Sequence, residues 1–222
     1  MLTSLFCLRI FEKVNMSDIT VIGSQFIPAD EIFKNSSLKL PARLILINTK
    51  YSELKLKRNL SLQNVSIRRL IFPFGLKIIL EPRIPIAKAV KNVSKESKNG
   101  FVDKDGFFIP EKFAKVTKDQ IFLTTIYGWE EKHRKIISRI LKSNKQSNFE
   151  FTKITISKNG FLSIEDKFLK MILIGFEFNQ IDTQLELIYS IKMQLIKDQF
   201  TKEIDSIDLT DPTNPKIKVF KP

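Results

Sequence analysis

Apolar positions recur along the chain with two periods, and the switches between them outline the elements. Residues 19–24 read as a short β-branched strand halted at Gly23-Ser24. Pro28-Ala29-Asp30-Glu31 predicts a helix start, because proline suits the first turn and acids favour the positive end of the helix dipole. Asn48-Thr49 predicts the cap of a second helix running to about Asn59, with Tyr51 and Leu54 among Lys-rich outer positions. Two β-prone runs follow at residues 65–72 and 76–81, joined tightly through Pro73-Phe74-Gly75. The order strand–helix–helix–strand–strand describes a small α+β unit.

Beyond Pro82 the period of two dominates. Residues 84–90 predict a strand, and the polar residues 91–99 predict a loop. Residues 101–109 read as a hairpin turning near Asp105-Gly106, and 121–127 as a further strand. Residues 130–141 predict a short amphipathic helix with His133, Ile136, Ile137, Ile140 and Leu141 on one face. Residues 151–157 and 161–164 flank Asn159-Gly160, the strongest hairpin turn in the chain, and 168–176 is a nearly continuous apolar run of strand length. Residues 180–199 predict the clearest helix, with Ile181, Leu185, Ile188, Ile191 and Leu195 as a buried stripe. Residues 204–209 and 217–220 close the chain as strands around the turn Asp211-Pro212-Thr213-Asn214-Pro215.

Composition changes this picture little. With 222 residues, 43% hydrophobic content and only 7 Gly and 9 Pro, the chain can bury one large core or two small ones. The net charge of +13 would attract phosphate or anionic head groups. Of the 37 basic residues only 8 are Arg, however, whereas phosphate and base recognition favours Arg forks. Nucleic acid is therefore not the expected partner. Cys7 is the single cysteine, so no disulfide forms within the chain. At the start, residues 2–11 make an interrupted apolar run about half the ~20 residues that a spanning helix needs. It reads either as an element packed on the domain or as the end of a membrane helix.

The residues assemble no catalytic constellation, so the expectation is a non-enzyme with no cofactor, no metal and no small-molecule substrate. His133 is the single histidine and sits on an apolar face, the place of a packed core-edge side chain. One Cys and one His do not build a zinc site, and no phosphate-cradling glycine loop occurs. Asp103 and Asp105 suit a hairpin turn, and Asp205, Asp208 and Asp211 lack the Gly and closing Glu of a calcium loop. Basic and aromatic residues interleave at Arg68, Arg69, Phe72 and Phe74, a pattern that a strand with one buried and one solvated face also produces.

One ordered set of motifs goes further. Val21-Ile22-Gly23 ends the first strand. Val65-Ser66-Ile67-Arg68-Arg69, Phe72-Pro73, Gly75-Leu76-Lys77-Ile78 and Glu81-Pro82-Arg83-Ile84-Pro85-Ile86-Ala87 close the unit. The run resembles the FtsQ-type POTRA domain of the FtsQ/DivIB cell-division family, with Pro82 standing between the family's Glu-Arg pair. Phe101-Val102-Asp103-Lys104-Asp105-Gly106 and the closing Ile207-Asp208-Leu209-Thr210 and Asn214-Pro215-Lys216 resemble that family's second domain.

The resemblance implies an α+β fold: an N-terminal POTRA-like domain (residues 19–83), then a mixed β domain with two helices (84–222), behind a residual membrane-proximal segment (1–18). It implies a bitopic protein of the plasma (inner) membrane with its folded part outside the cytoplasm, although the full family anchor is not legible in residues 1–18. It implies a non-catalytic divisome scaffold that binds FtsB/DivIC-like and FtsL-like proteins and helps regulate septal peptidoglycan synthesis. In the family the end of the β domain takes its partner by strand addition. That places Ile207, Asp208, Leu209, Lys218 and Phe220 on or beside a docking edge, where a chain-terminal strand commonly lies. The alternatives are a basic nucleic-acid-binding domain, or a POTRA protein of outer-membrane assembly or secretion.

Overall fold

The computed structural model describes residues 10–23, 25, 27–93, 96–117, 120–147, 149–200 and 203–220. Ser24 and most of the apolar run at 2–11 lie outside these residues. The described residues form two compact units. One holds those up to Ile84 together with Lys112–Lys115, the other holds Pro85–Glu111 and those from Val116 onward.

The first unit runs β1 (Lys13–Val14), β2 (Ile19–Ile22), α1 (Ala29–Ser36), β3 (Ala42–Arg43), α2 (Thr49–Asn59), β4 (Asn64–Leu70) and β5 (Gly75–Glu81). The three-stranded sheet has the order β2-β5-β4, with β2 parallel and β4 antiparallel to β5, while β1 and β3 make a separate two-residue ribbon. Pro28 precedes α1, and the Asn48 carboxamide accepts the Tyr51 amide at 3.0 Å, capping α2 as its sequence predicts. Strand alternation turns Val65 and Ile67 of β4 and Leu76, Ile78 and Leu80 of β5 onto one core, which Ile32 and Leu56 cover from the helices. Each such side chain contributes about 1.5–3 kcal/mol on leaving water. Phe113 is buried in this same core. Gly23 ends β2 because a Cβ there would sit 2.1 Å from the Leu80 carbonyl oxygen, and its φ of +84° suits only glycine well.

The second unit runs β6 (Ala87–Val93), β7 (Glu96–Val102), β8 (Phe108–Pro110), β9 (Thr125–Tyr127), α3 (Arg134–Gln146), β10 (Phe151–Ile156), β11 (Leu162–Asp166), β12 (Lys170–Gly175), α4 (Ile181–Lys197), β13 (Ile204–Asp208) and β14 (Lys216–Val219). Its nine-stranded sheet has the order β14-β13-β12-β11-β10-β9-β6-β7-β8. β9 is parallel to β10, and β12 to β13, so α3 and α4 are the crossovers of two βαβ units. Both crossovers step the same way from strands of the same sense, and the right-handed rule therefore puts both helices on one face. Ile137, Ile140, Ile181, Leu185 and Ile188 accordingly join Ile126, Ile154, Ile164, Ile172 and Ile207 in a single core.

The sheet corrects one expectation outright. Residues 91–93 and 96–99 are not a loop: Lys91 pairs with Lys98, Asn92 with Ser97 and Val90 with Asn99, extending the β6–β7 hairpin. Ala87 and Ala89 are the inward side chains there, too small to mark the run as a strand by hydrophobicity. Other boundaries shift. β6 begins at Ala87 because Pro82 and Pro85 offer no amide, and β9 spans only Thr125–Tyr127, with Ile121 and Leu123 exposed.

Candidate functional site

The predicted docking residues belong to the hairpin β13–β14 and its connection. β13 is held from below. Ile204, Ile207 and Leu209 are buried, the Leu209 amide donates to the Leu173 carbonyl at 2.8 Å, and the buried Gln184 of α4 donates to the carbonyls of Ile174 (2.9 Å) and Leu209 (2.7 Å). These contacts fix the end of β13 against β12, so the connection leaves from a rigid point.

Two short motifs then shape that connection. Asp208 accepts the Thr210 amide (3.0 Å) and hydroxyl (2.7 Å), and Asp211 accepts the Thr213 amide (3.0 Å) and hydroxyl (2.7 Å). The hydroxyl and amide of Thr210 hold the Asp208 carboxyl below its ordinary value, with smaller help from Lys216 and Lys218. Thr213 does the same for Asp211. Both aspartates are therefore turn-formers, a use that short acidic side chains favour.

The turn delivers β14 to the outer edge of the sheet, where it pairs antiparallel with β13: Ser206 opposes Lys218, Ile207 opposes Ile217 and Asp208 opposes Lys216. The Phe220 amide donates to the Glu203 carbonyl at 2.9 Å. Alternation along an antiparallel strand then turns the amides and carbonyls of Val219 and Ile217 away from β13. Among the described residues no strand lies beyond β14. Lys216, Lys218 and Phe220 are exposed, and Ile217 is 42% exposed.

The five sequence-predicted residues thus divide. Lys218 and Phe220 stand on the edge, Asp208 shapes the turn, and Ile207 and Leu209 lie buried beneath it. Ile217 and Val219, whose backbone groups face outward, were not among them. Their parity depends on the register with β13, which includes a bulge between Ile204 and Ser206 that no local sequence pattern marks.

Other candidates resolve into structure. Asp103 accepts the amides of Asp105 and Phe107, both at 2.9 Å, and builds the β7–β8 turn. His133 is buried against the edge of Phe178, and burial is the main cause holding its imidazole below the ordinary histidine value. Arg69 donates to the carbonyls of Leu44 (3.1 Å) and Ile47 (2.6 Å), so this fork fastens the first unit to itself, and Phe74 packs on its core. Asp166, not singled out by the sequence, accepts the amides of Glu150, Phe168 and Leu169 beside Lys192 and organises the β11–β12 turn. Among the described residues no cluster of His, Cys, Asp and Glu is arranged to hold a metal ion, and no helix is long and apolar enough to cross a membrane.

No curated protein matches the chain. The family model of the POTRA domain, FtsQ-type, matches residues 14–83, the span that holds the β2-β5-β4 sheet and both of its helices. Domains of this type are generally non-catalytic, act through protein–protein interaction in cell division and occur in membrane-associated proteins. Residues 14–83 are a POTRA domain of the FtsQ type, and on that domain stands the resemblance of the chain to the FtsQ/DivIB family.

Proposed function

We propose that the protein is a non-catalytic scaffold of the divisome that captures an FtsB/DivIC-like partner by strand addition along β14. In this reading it is a bitopic protein of the plasma membrane with both units outside the cytoplasm. It also engages an FtsL-like protein and helps regulate septal peptidoglycan synthesis. The observation that carries the docking step is the open edge of β14, where Ile217 and Val219 offer backbone donors and acceptors to an incoming strand. Lys216 and Lys218 favour a partner strand bearing acidic side chains. Ile207 and Leu209 support the edge from the core, and Asp208 sets the turn that presents it.

The test uses proline, which removes an outward amide while sparing the pairing with β13. Co-purification of the full chain with the FtsB/DivIC-like and FtsL-like proteins of the same genome should fall more than tenfold in Ile217→Pro/Val219→Pro. Circular dichroism should show the β content retained. Undiminished capture by a folded double variant would overturn strand addition at β14. Truncation from residue 204 is a poorer test, because it also strips Ile204, Ile207 and Leu209 from the core.

A further inference from the structure

The outer face of the β1–β3 ribbon breaks the usual rule for a small domain. Its inner side chains, Val14 and Leu44, are fully buried in the first core. On the outside, Lys13 lies directly opposite Arg43. The Leu44 amide donates to the Glu12 carbonyl at 3.1 Å and the Ile45 amide to the Ile10 carbonyl at 3.2 Å, which carries Phe11 alongside Ile45. Phe11 is 56% exposed, Ile45 48% and Leu46 72%. Phe11 and Ile45 therefore stand exposed along the same pairing as the exposed cations Lys13 and Arg43, Leu46 is exposed in the turn that follows, and Glu12 is the acid on the same short segment. Apolar groups at this density normally mark a surface that is covered in use.

We infer that this face docks on an anionic lipid surface, with Phe11, Ile45 and Leu46 entering the acyl boundary and Lys13 and Arg43 meeting the head groups. Two observations select the lipid over another occupant. The chain reaches the patch through residues whose sequence holds Leu2, Leu5, Phe6 and Leu8. That sequence leads directly into Phe11 at the patch. The charge is also complementary, since lysine and arginine flank the apolar groups in a chain of net charge +13, and cations held near an anionic leaflet add to the binding. The arrangement would hold the POTRA domain against the membrane surface. It builds on the membrane-associated reading and is independent of partner capture at β14.

Flotation of the full chain with vesicles tests it. Wild type should bind phosphatidylglycerol-containing vesicles, and less so pure phosphatidylcholine. Phe11→Asp/Ile45→Asp/Leu46→Asp should weaken the binding at least tenfold, and Lys13→Glu/Arg43→Glu should lower both the affinity and its salt dependence. These positions are exposed, and circular dichroism checks that the fold persists. In Leu46→Trp, the added indole emission should be quenched by brominated acyl chains. Binding unchanged in the triple variant would mean that residues 1–9 alone hold the lipid, and would overturn the assignment. A wild-type dimer that the triple variant dissociates, without any vesicle binding, would overturn it in favour of a second copy. A chain that captures its septal partner but leaves vesicles alone defeats this inference and spares the previous one.

Discussion

The first sheet has β2 and β4 at its edges and the second has β14 and β8, and two of these, β4 and β14, are treated oppositely. In the first unit β4 lies beside α2, and the Ile67 amide, turned away from β5, donates to the Glu53 carboxylate at 2.8 Å. Arg69 on the same face reaches the carbonyls of Leu44 and Ile47. The edge is stopped by side chains of its own domain. In the second unit β14 carries exposed Lys216, Ile217 and Lys218, followed by exposed Phe220, with nothing described beyond it. Free sheet edges invite pairing with other chains, and proteins commonly blunt those that serve no purpose. The shielded β4 and the open β14 therefore distinguish an edge closed by its own domain from one offering a strand-shaped site.

The largest effect is expected beneath the open edge. Ile207→Ala removes a fully buried side chain and should cost about 2–5 kcal/mol in urea denaturation, whereas Ile217→Ala, on the opposing strand, should cost under about 1 kcal/mol. Equal losses would mean that β14 is core rather than edge.

Glu53→Ala attacks the shielded edge. Leaving the Ile67 amide unpaired should cost about 1–3 kcal/mol, and sedimentation velocity should reveal concentration-dependent association through the uncovered β4. A variant that stays monomeric would show that α2 itself, and not the carboxylate, closes that edge. Asn48→Ala removes the cap of the helix that carries Glu53 and should cost about 1 kcal/mol, read as a lower urea midpoint.

Mild acid should separate the units. His133, the single histidine, lies in the second unit and is held below its ordinary value mainly by burial. The unfolded chain then binds the proton more readily than the folded one. The stability that His133 contributes is present above about pH 6.5 and lost as pH falls through the lowered folded value. The urea midpoint of the second unit should drop between pH 7.5 and 5.5, and His133→Phe should flatten that drop. The smallest effect belongs to Lys218→Glu, which should move stability by no more than about 0.5 kcal/mol while weakening capture of an acidic partner strand.

Much of the fold was legible where short-range physics decides. The Asn48 cap, the Pro28 helix start, the Asn159-Gly160 hairpin and the Ile181, Leu185 and Ile188 stripe all rest on residues within one or two turns of each other. The β6–β7 hairpin was missed because Ala87, Ala89 and Gly100 face inward without the bulk that betrays a buried strand. Of the docking residues, Lys218 and Phe220 could be named from their terminal position. Ile207 and Leu209 could not be told from edge residues, since a β-branched or leucine side chain reads alike on either face.

By itself the sequence determined the POTRA-like order of elements, the two amphipathic helices of the second unit and a chain with one His and one Cys, because each depends on residue type and local spacing. The tertiary structure decided which strand would be an edge. That outcome depends on pairings across long stretches of chain, such as β6 with β9 and β12 with β13, and on contacts such as Gln184 with Leu209 and Glu53 with Ile67. Hydrogen-bond register is a property of two strands together. The outward amides of Ile217 and Val219 therefore exist as a site only once β13 has taken its place in the sheet.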